Sequence, residues 1–420
     1  MHKTYLKKFA TLLLLVGTAF YAVPASAFNP TFKIDADGMD RSVDPGDDFF
    51  AYANGTWMKN TEIPPDRSAF GNFDVVFNVV NTRTAELIKD AGKSSDPEAK
   101  MVADYYAAYL DDQAIEKRGL EPLKAELAGI DAIKTKADLA RVLGSQLRAD
   151  VDPLNATNFY TDRLFGVFIS ADFSNPKKNV PYLLQGGLGM PDRENYLSTD
   201  ERNTELQAKY RTHIATVLKL ANVADAEAKA ARIYDLEHKI AETHATREES
   251  GDVHKANNPW KLSEFATKAP GLDWANYFKA AGLSSQPMVI VWQPGAITGI
   301  SSLVTSQPID AWKEYLTYRA IDRASGLLPK AFADESFNFY RKTLFGVPQQ
   351  RARELRAINA ASNALGDVVG RMYVEKYFPP KAKTEIQTLV KNIINAFGKR
   401  IDDLTWMSPE TKAKAKAKLA

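Results

Sequence analysis

Apolar residues that recur at helical spacing constrain this chain more than any other feature. Ile386, Leu389, Val390, Ile393, Ile394, Phe397, Ile401 and Leu404 follow the i, i+3, i+4, i+7 pattern that lays one continuous stripe along a long α-helix. Met101, Val102, Tyr105, Tyr106 and Tyr109 make a second stripe, and Leu206, Tyr210, Ile214, Val217 and Leu218 a third, both with the spacing of half-buried helices. Strand alternation is scarce by comparison. Phe165, Val167, Ile169, Ala171 and Phe173 alternate with Gly166, Phe168, Ser170 and Asp172; Ser174-Asn175-Pro176-Lys177-Lys178 then turns the chain, and Val180, Tyr182 and Leu184 run back. That is one hairpin, to which Met288 to Trp292, bounded by Pro287 and Pro294, adds a short strand. With 420 residues, 45% of them hydrophobic, the chain has apolar mass for one large or two medium cores. No repeat of fixed period and no low-complexity linker interrupts it. The expected fold class is predominantly α with a minor β hairpin.

The N-terminus carries Lys3, Lys7 and Lys8, an apolar run from Phe9 to Val23, and then Pro24-Ala25-Ser26-Ala27. This reads as a secretory signal peptide over residues 1–27, cleaved after Ala27, with an apolar stretch too short to span a bilayer. No longer apolar run follows, so no membrane span is expected after cleavage, and no cysteine stands at the cleavage site to take a lipid. The expectation is a soluble exported protein, periplasmic or extracellular, and an exported chain without cysteine fits a bacterial source. Residues 28–66, rich in Asp, Pro, Gly and Asn, read as an irregular opening segment with short helical pieces, and 67–420 as one helical domain. Near the C-terminus, Ser408-Pro409-Glu410 is a good helix start. That helix reads as cut off before its packing partners, with Lys412, Lys414, Lys416 and Lys418 scattered around it rather than gathered on a membrane-binding face.

Charge and residue usage exclude several function classes. Lys and Arg number 54 against 52 Asp and Glu, a balance that argues against nucleic acid as a partner. The absence of cysteine excludes a disulfide scaffold, a thiolate metal site and a cysteine nucleophile. Five histidines are present: His2, His213, His238, His244 and His254. None belongs to an HExxH or an inverted HxxEH, so no helix-borne zinc peptidase site is formed by them. His238 and His244 stand about 240° apart around a helix and cannot chelate one ion from it. His238 with Glu242 reads as a surface ion pair, and His244, on the Ile233, Leu236, Ile240 stripe, as a hydrogen-bonded, partly buried side chain. There is no G-x-S-x-G elbow, Walker loop or dinucleotide fingerprint; Gly186-Gly187-Leu188-Gly189 precedes Met190-Pro191-Asp192 and reads as turn geometry. The acid pairs Asp47-Asp48, Asp111-Asp112 and Glu248-Glu249 mean little without a shared cleft. From the residues alone, no catalytic and no metal-ligating residue is assigned.

Collinear blocks carry a resemblance. Asp44-Pro45-Gly46-Asp47-Asp48-Phe49-Phe50-Ala51-Tyr52-Ala53-Asn54-Gly55-Thr56-Trp57 leads into Ile63-Pro64-Pro65-Asp66-Arg67 and Phe70-Gly71-Asn72-Phe73. Then come Asp104-Tyr105-Tyr106, Ile115-Glu116-Lys117-Arg118-Gly119-Leu120-Glu121-Pro122-Leu123, Gly187-Leu188-Gly189-Met190-Pro191-Asp192-Arg193-Glu194-Asn195-Tyr196, Trp312-Lys313-Glu314-Tyr315-Leu316, Gly370-Arg371-Met372-Tyr373-Val374-Glu375-Lys376-Tyr377-Phe378 and Met407-Ser408-Pro409-Glu410-Thr411-Lys412. In this order they resemble the N-terminal region of the neprilysin and endothelin-converting-enzyme family of zinc metallopeptidases, from about Asp37 to Ala420.

The resemblance implies a large helical lobe closing over a smaller catalytic domain, around a cavity that admits oligopeptides. It implies zinc in the intact enzyme, polarising the scissile carbonyl while a glutamate takes a proton from water, with ligands in a C-terminal part that lies beyond the resembling blocks. No catalytic residue, metal ligand or substrate contact therefore carries over, and the chain alone is expected to bind no zinc and to be inactive. Gly46 and Asn54 stand where vertebrate members have disulfide cysteines, and Ala69 and Phe77 where they have substrate-binding arginines; the role is not transferred to Arg67. Phe49, Phe50, Tyr52, Trp57, Tyr373, Tyr377 and Phe378 are expected to pack in the core, and Asp192 with Arg193 to stabilise a turn. The alternative function is a non-catalytic periplasmic peptide-binding or interaction module; a third is one half of an enzyme whose partner is a separate C-terminal catalytic part.

Overall fold

The computed structural model describes residues 36–152, 154, 156 and 160–420. The expected signal peptide, residues 1–27, lies outside the described residues. The chain divides into two compact units, one built from the chain up to Pro64 together with Ala69–Arg83, the other from Pro65–Ser68 and Thr84–Ala420.

In the first unit, α1 (Phe49–Asn60) begins where the Asp48 carboxylate accepts the Ala51 N–H at 2.9 Å, filling one of the orphan donors of a helix start. The backbone before it pairs back: Asp40 N–H donates to Tyr52 O at 2.8 Å and Trp57 N–H to Gly38 O at 3.0 Å. The Lys59 ammonium reaches Asp40 at 2.6 Å and, with hydrogen bonds from Ser42, holds that carboxyl down at about 2. Trp57 stacks on Phe70 with centroids 6.3 Å apart. The expectation that these aromatics form core is corrected here: α1 has no buried residue, and Phe49 and Phe50 are 69% and 66% exposed. Next, α2 (Asn72–Ala91) starts in this unit and ends in the second.

The second unit is the helical mass. After α3 (Pro97–Leu110), capped by Asp96 with Pro97 at the first helical position, come two antiparallel strands, β1 (Phe165–Asp172) and β2 (Asn175–Gln185), as the alternation predicts. The turn is tighter than expected. The Asp172 carboxylate accepts the Ser174 N–H at 2.8 Å, so residues 175–178 already belong to β2 rather than to the connection. Then follow α4 (Glu201–Leu220), α5 (Ala226–Thr243), β3 (Asn258–Lys261), β4 (Met288–Val291) and α6 (Ile309–Ala324). The sheet order is β1-β2-β4-β3, with β4 parallel to β2 through Tyr182↔Ile290 and antiparallel to β3 through Trp260↔Val289. So the hairpin and the expected strand at Met288–Val291 are joined by β3 into a four-stranded sheet. β3 escaped the sequence pattern because Asn258-Pro259-Trp260-Lys261 is four residues long with a proline, a composition suited only to an edge.

Val180 to Leu184 are all buried, since both faces of β2 are covered. Leu183 joins Val167, Val289 and Val291 in the main core, while Val180, Tyr182, Leu184 and Ile290 form a smaller cluster with Trp292. The main core is centred on α4, α5 and α6, where Tyr210, Ile214, Ile233, Ile240, Trp312 and Tyr318 are fully buried. A short α7 (Lys330–Ser336) runs into a π-helical turn, Phe337–Thr343. The chain ends in α8 (Arg353–Ala364), α9 (Gly366–Tyr377), α10 (Pro380–Asp403) and α11 (Pro409–Leu419). Ile88 of α2, Val102 of α3 and Ile358, Ala361 and Val369 of α8 and α9 make a third cluster.

The predicted long helix is α10, and Ser408 caps α11 by accepting the Thr411 N–H at 3.2 Å. α10 has no buried residue: Ile386, Leu389, Val390, Ile393, Ile394 and Phe397 are 41–56% exposed. Tyr373 and Tyr377 pack on each other at 5.1 Å and are half-buried, and Phe378 is exposed, so this aromatic block is not core either.

Candidate functional site

The segment that leaves β2, Gly186 to Arg193, is held by a buried polar network. Gly187 has φ +93°, a conformation glycine adopts without steric cost, and its carbonyl accepts the Tyr315 hydroxyl at 3.0 Å. At Gly189 the Tyr210 oxygen comes so close that an added Cβ would sit 1.7 Å from it, so no side chain fits. That approach lets the Gly189 N–H donate to Tyr196 Oη at 3.0 Å and to Glu237 Oε2 at 3.2 Å. Glu237, fully buried on α5, also accepts the Tyr196 hydroxyl at 2.6 Å and the Tyr210 hydroxyl at 2.9 Å. Burial pushes its carboxyl up, against the opposing pull of the Arg319 charge and these hydrogen bonds. Three elements are thereby tied to one carboxylate.

Beyond this network lies a cavity of about 530 Å³. One wall is Gly186, Leu188, Pro191, Asp192 and Arg193; the other is His244, Ala245, Arg247 and Ser250. Asp192 does stabilise the turn, its Oδ1 accepting the Glu194 N–H at 3.1 Å, but its ionic partner is Arg247 at 2.9 Å and not Arg193. Arg193 lies 3.7 Å from Glu194, and its buried Nε makes no hydrogen bond. Burial drives His244 down to about 4, so the ring is neutral at neutral pH. Its Nε2 faces the Gly186 carbonyl at 2.9 Å, and a carbonyl only accepts, so Nε2 carries the hydrogen and Nδ1 is left as an acceptor. Ser250 Oγ accepts the Gln293 amide N–H at 3.2 Å.

A charged node lies elsewhere in the core. His213 on α4 is 1% exposed, with Nδ1 2.8 Å from Glu335 Oε1 and Nε2 3.1 Å from Asp322 Oδ1. Burial alone would lower its pKa, but the two carboxylates outweigh burial and raise it to about 9, so both ring nitrogens donate. Asp322 Oδ2 accepts the Tyr340 hydroxyl at 2.6 Å. Tyr340, with Arg341, Arg351 and Arg356, lines a second cavity of about 440 Å³.

The remaining candidates resolve into local structure. His238 pairs with Glu242 at 3.5 Å on the surface, and His254 is exposed in a four-residue helix. Asp48 and Asp111 cap helices, Asp112 pairs with Arg353 at 2.7 Å, and Glu249 forms a capping box with Thr246. Ala69 and Phe77 are exposed, and Arg67 pairs with Asp66 at 3.1 Å. Among the described residues no group of three or more His, Asp or Glu is placed to hold a metal ion. With both nitrogens of His213 and Nε2 of His244 already committed, these two buried histidines do not fit a zinc site. Sequence reasoning missed Glu237, Asp322 and Arg319. The signal was available: each is a charged residue on an apolar helical stripe.

The sequence model of peptidase family M13, in its N-terminal part, matches residues 45–420. The chain belongs to this family. Its M13 domain is 26% identical to Neprilysin-3 of Drosophila melanogaster over 397 residues, 90% of this chain and 50% of that protein. It is likewise 26% identical to Endothelin-converting enzyme-like 1 of Mus musculus over 404 residues, 94% of this chain and 52% of that one. The chain thus spans about half the length of the curated relatives it matches. Among solved structures it superposes on the Mycobacterium tuberculosis zinc metalloprotease Zmp1, crystallised with an inhibitor, with TM-score 0.82 and 32% identity, covering 92% of this chain and 58% of that one. PepO from Lactobacillus rhamnosis shares the fold, with TM-score 0.74 at 20% identity. This M13 chain carries the N-terminal domain of a zinc metalloendopeptidase family, and the predominantly α architecture is that of the family.

Proposed function

We propose that this chain is the substrate-enclosing N-terminal part of an exported zinc metalloendopeptidase that hydrolyses oligopeptides, with the zinc site supplied by a C-terminal part. Its own contribution is shape and binding: a helical lobe of 67–420, preceded by an opening segment, that restricts access to peptides. The observation that carries the reading, beside membership of the family, is the apolar face of α10. Six large side chains, Ile386 to Phe397, stand at 41–56% exposure along one helix, the pattern of a face made to be covered. Export rests on the residue 1–27 pattern, and among the described residues no helix is long and apolar enough to cross a membrane.

The test is the intact mass, zinc content and peptide hydrolysis of the protein recovered from its own cells after export. A mass well above that of residues 28–420, with one zinc per chain and activity lost on chelation, is the expected result. A mass matching residues 28–420 with no zinc and no hydrolysis would replace this reading with the peptide-binding module. Copurification of a separate HExxH-bearing chain would make it a half-enzyme.

A further inference from the structure

The second cavity differs from the first in its charge. Arg341, Arg351 and Arg356 line it, and Asp66 is the one carboxylate among its described lining residues. That carboxylate is already shared, with Arg67 Nε 3.1 Å from Oδ1 and Arg351 Nε 3.7 Å from Oδ2. Arg341 has no carboxylate partner among the described residues; its guanidinium carbon stands 5.9 Å from the centre of the Phe345 ring. Arg356 gives its Nε hydrogen to the Arg351 carbonyl at 3.2 Å and has no carboxylate partner either. Arginines remain protonated at any working pH, so three of them against one acid leave a cavity of positive potential. Guanidinium forks match carboxylates in plane and spacing.

The wall that presents Phe337, Tyr340 and Arg341 is the π-helical turn, a rare geometry that recurs at functional sites. It is pinned from behind by the Tyr340 hydroxyl on Asp322. The remaining rim is not built for a bare ion. Gln349, Gln350 and Asn359 bring amides that both donate and accept, as peptide bonds do, and Val347 with Phe337 gives an apolar surface for a methylene stem. A cavity of about 440 Å³ also far exceeds the roughly 30 Å³ of one water-sized occupant.

We infer that this cavity is a carboxylate-recognising subsite that takes an aspartate or glutamate side chain of a peptide. The inference rests on the proposed peptide ligand class, and zinc-dependent hydrolysis by the longer protein is measured separately, so either can fail without the other. The probe is a fluorescent Ala-Glu-Ala-Glu-Ala peptide with both termini blocked, so that only side chains carry charge, titrated into the purified chain beside its Gln counterpart and free glutarate.

The Glu peptide should bind saturably, at least tenfold tighter than the Gln peptide, and weaken as salt is raised. Arg341→Gln with Arg356→Gln should lose at least tenfold, while Arg232→Gln, outside both cavities, changes nothing. If the double variant fails to fold, Arg341→Gln alone, at an exposed residue, should still lose several-fold. Equal binding of the Gln peptide, indifference to the arginine variants, or glutarate binding as tightly as the peptide would each overturn the assignment.

Discussion

The core of α4, α5 and α6 and the face of α10 follow one sequence rule and meet different fates. Tyr210, Ile214 and Val217 are sealed from solvent, whereas Ile386, Leu389 and Ile393, at the same spacing, are about half exposed. Periodicity specifies that a helix has an apolar face; it says nothing of what covers the face. The charged residues sharpen the contrast. Around α4 to α6, Glu237, Arg319, Asp322 and His213 are buried, with Asp322 held by His213 and the Tyr340 hydroxyl and one oxygen of Glu237 held by the Tyr196 and Tyr210 hydroxyls, while on α10 the charges are exposed.

The largest expected effect comes from the buried side of the comparison. Glu237→Ala removes the acceptor of two tyrosine hydroxyls and the Gly189 N–H, so a urea melt should show a loss of about 3–5 kcal/mol. A loss under 1 kcal/mol would mean that water replaces the carboxylate and that this core is wetter than its packing indicates.

His213 gives the next test. Its folded pKa of about 9 lies above the ordinary 6.5, so the folded state holds the proton more tightly. The stabilisation is fully present below pH 6.5 and is lost as pH rises through 9, with a span on the order of 3 kcal/mol. The difference between wild type and His213→Gln across pH 6 to 10 reads it, and a flat difference would break the assignment of an imidazolium between Asp322 and Glu335. Opposite in sign, His244, depressed to about 4, should lower stability as pH falls from 6.5 toward 4.

Tyr340→Phe, which frees Asp322 Oδ2 of one donor, should cost about 1–2 kcal/mol in the same melt. The smallest effect is expected on α10, where Phe397→Ser should change the stability of this chain by no more than about 0.5 kcal/mol. A larger loss would show that the face is covered in solution, erasing the contrast with the core.

The helices, the hairpin and the cap of α11 were legible because each is written in local spacing: the stripes at 206–218 and 386–404, the alternation at 165–173, and Ser-Pro-Glu at 408–410. What was not legible depends on distant partners. β3 pairs with β4, a partner about thirty residues further along the chain, and the exposure of Phe49 and Phe50 is not written in their own apolar chemistry. The cavity at Asp192 was partly visible as a glycine- and proline-rich turn, but its closing arginine, Arg247, comes from the far side of α5. The second cavity draws its arginines from two segments around the π-helical turn, and a π-helix leaves no periodic mark in a sequence.

The parallel pairing of β2 with β4 has a consequence for the order of assembly. β1 and β2 can zip as soon as both have left the ribosome, since two residues join them. Tyr182 cannot find Ile290 until α4, α5 and β3 have been made and drawn in, so the closure entropy of that whole stretch falls on a single short strand. Until then one edge of β2, with Val180 to Leu184, stays open to any other strand it meets. Synthesis of this chain therefore passes through a window in which the hairpin is formed and unguarded, and a pause before Met288 would lengthen it.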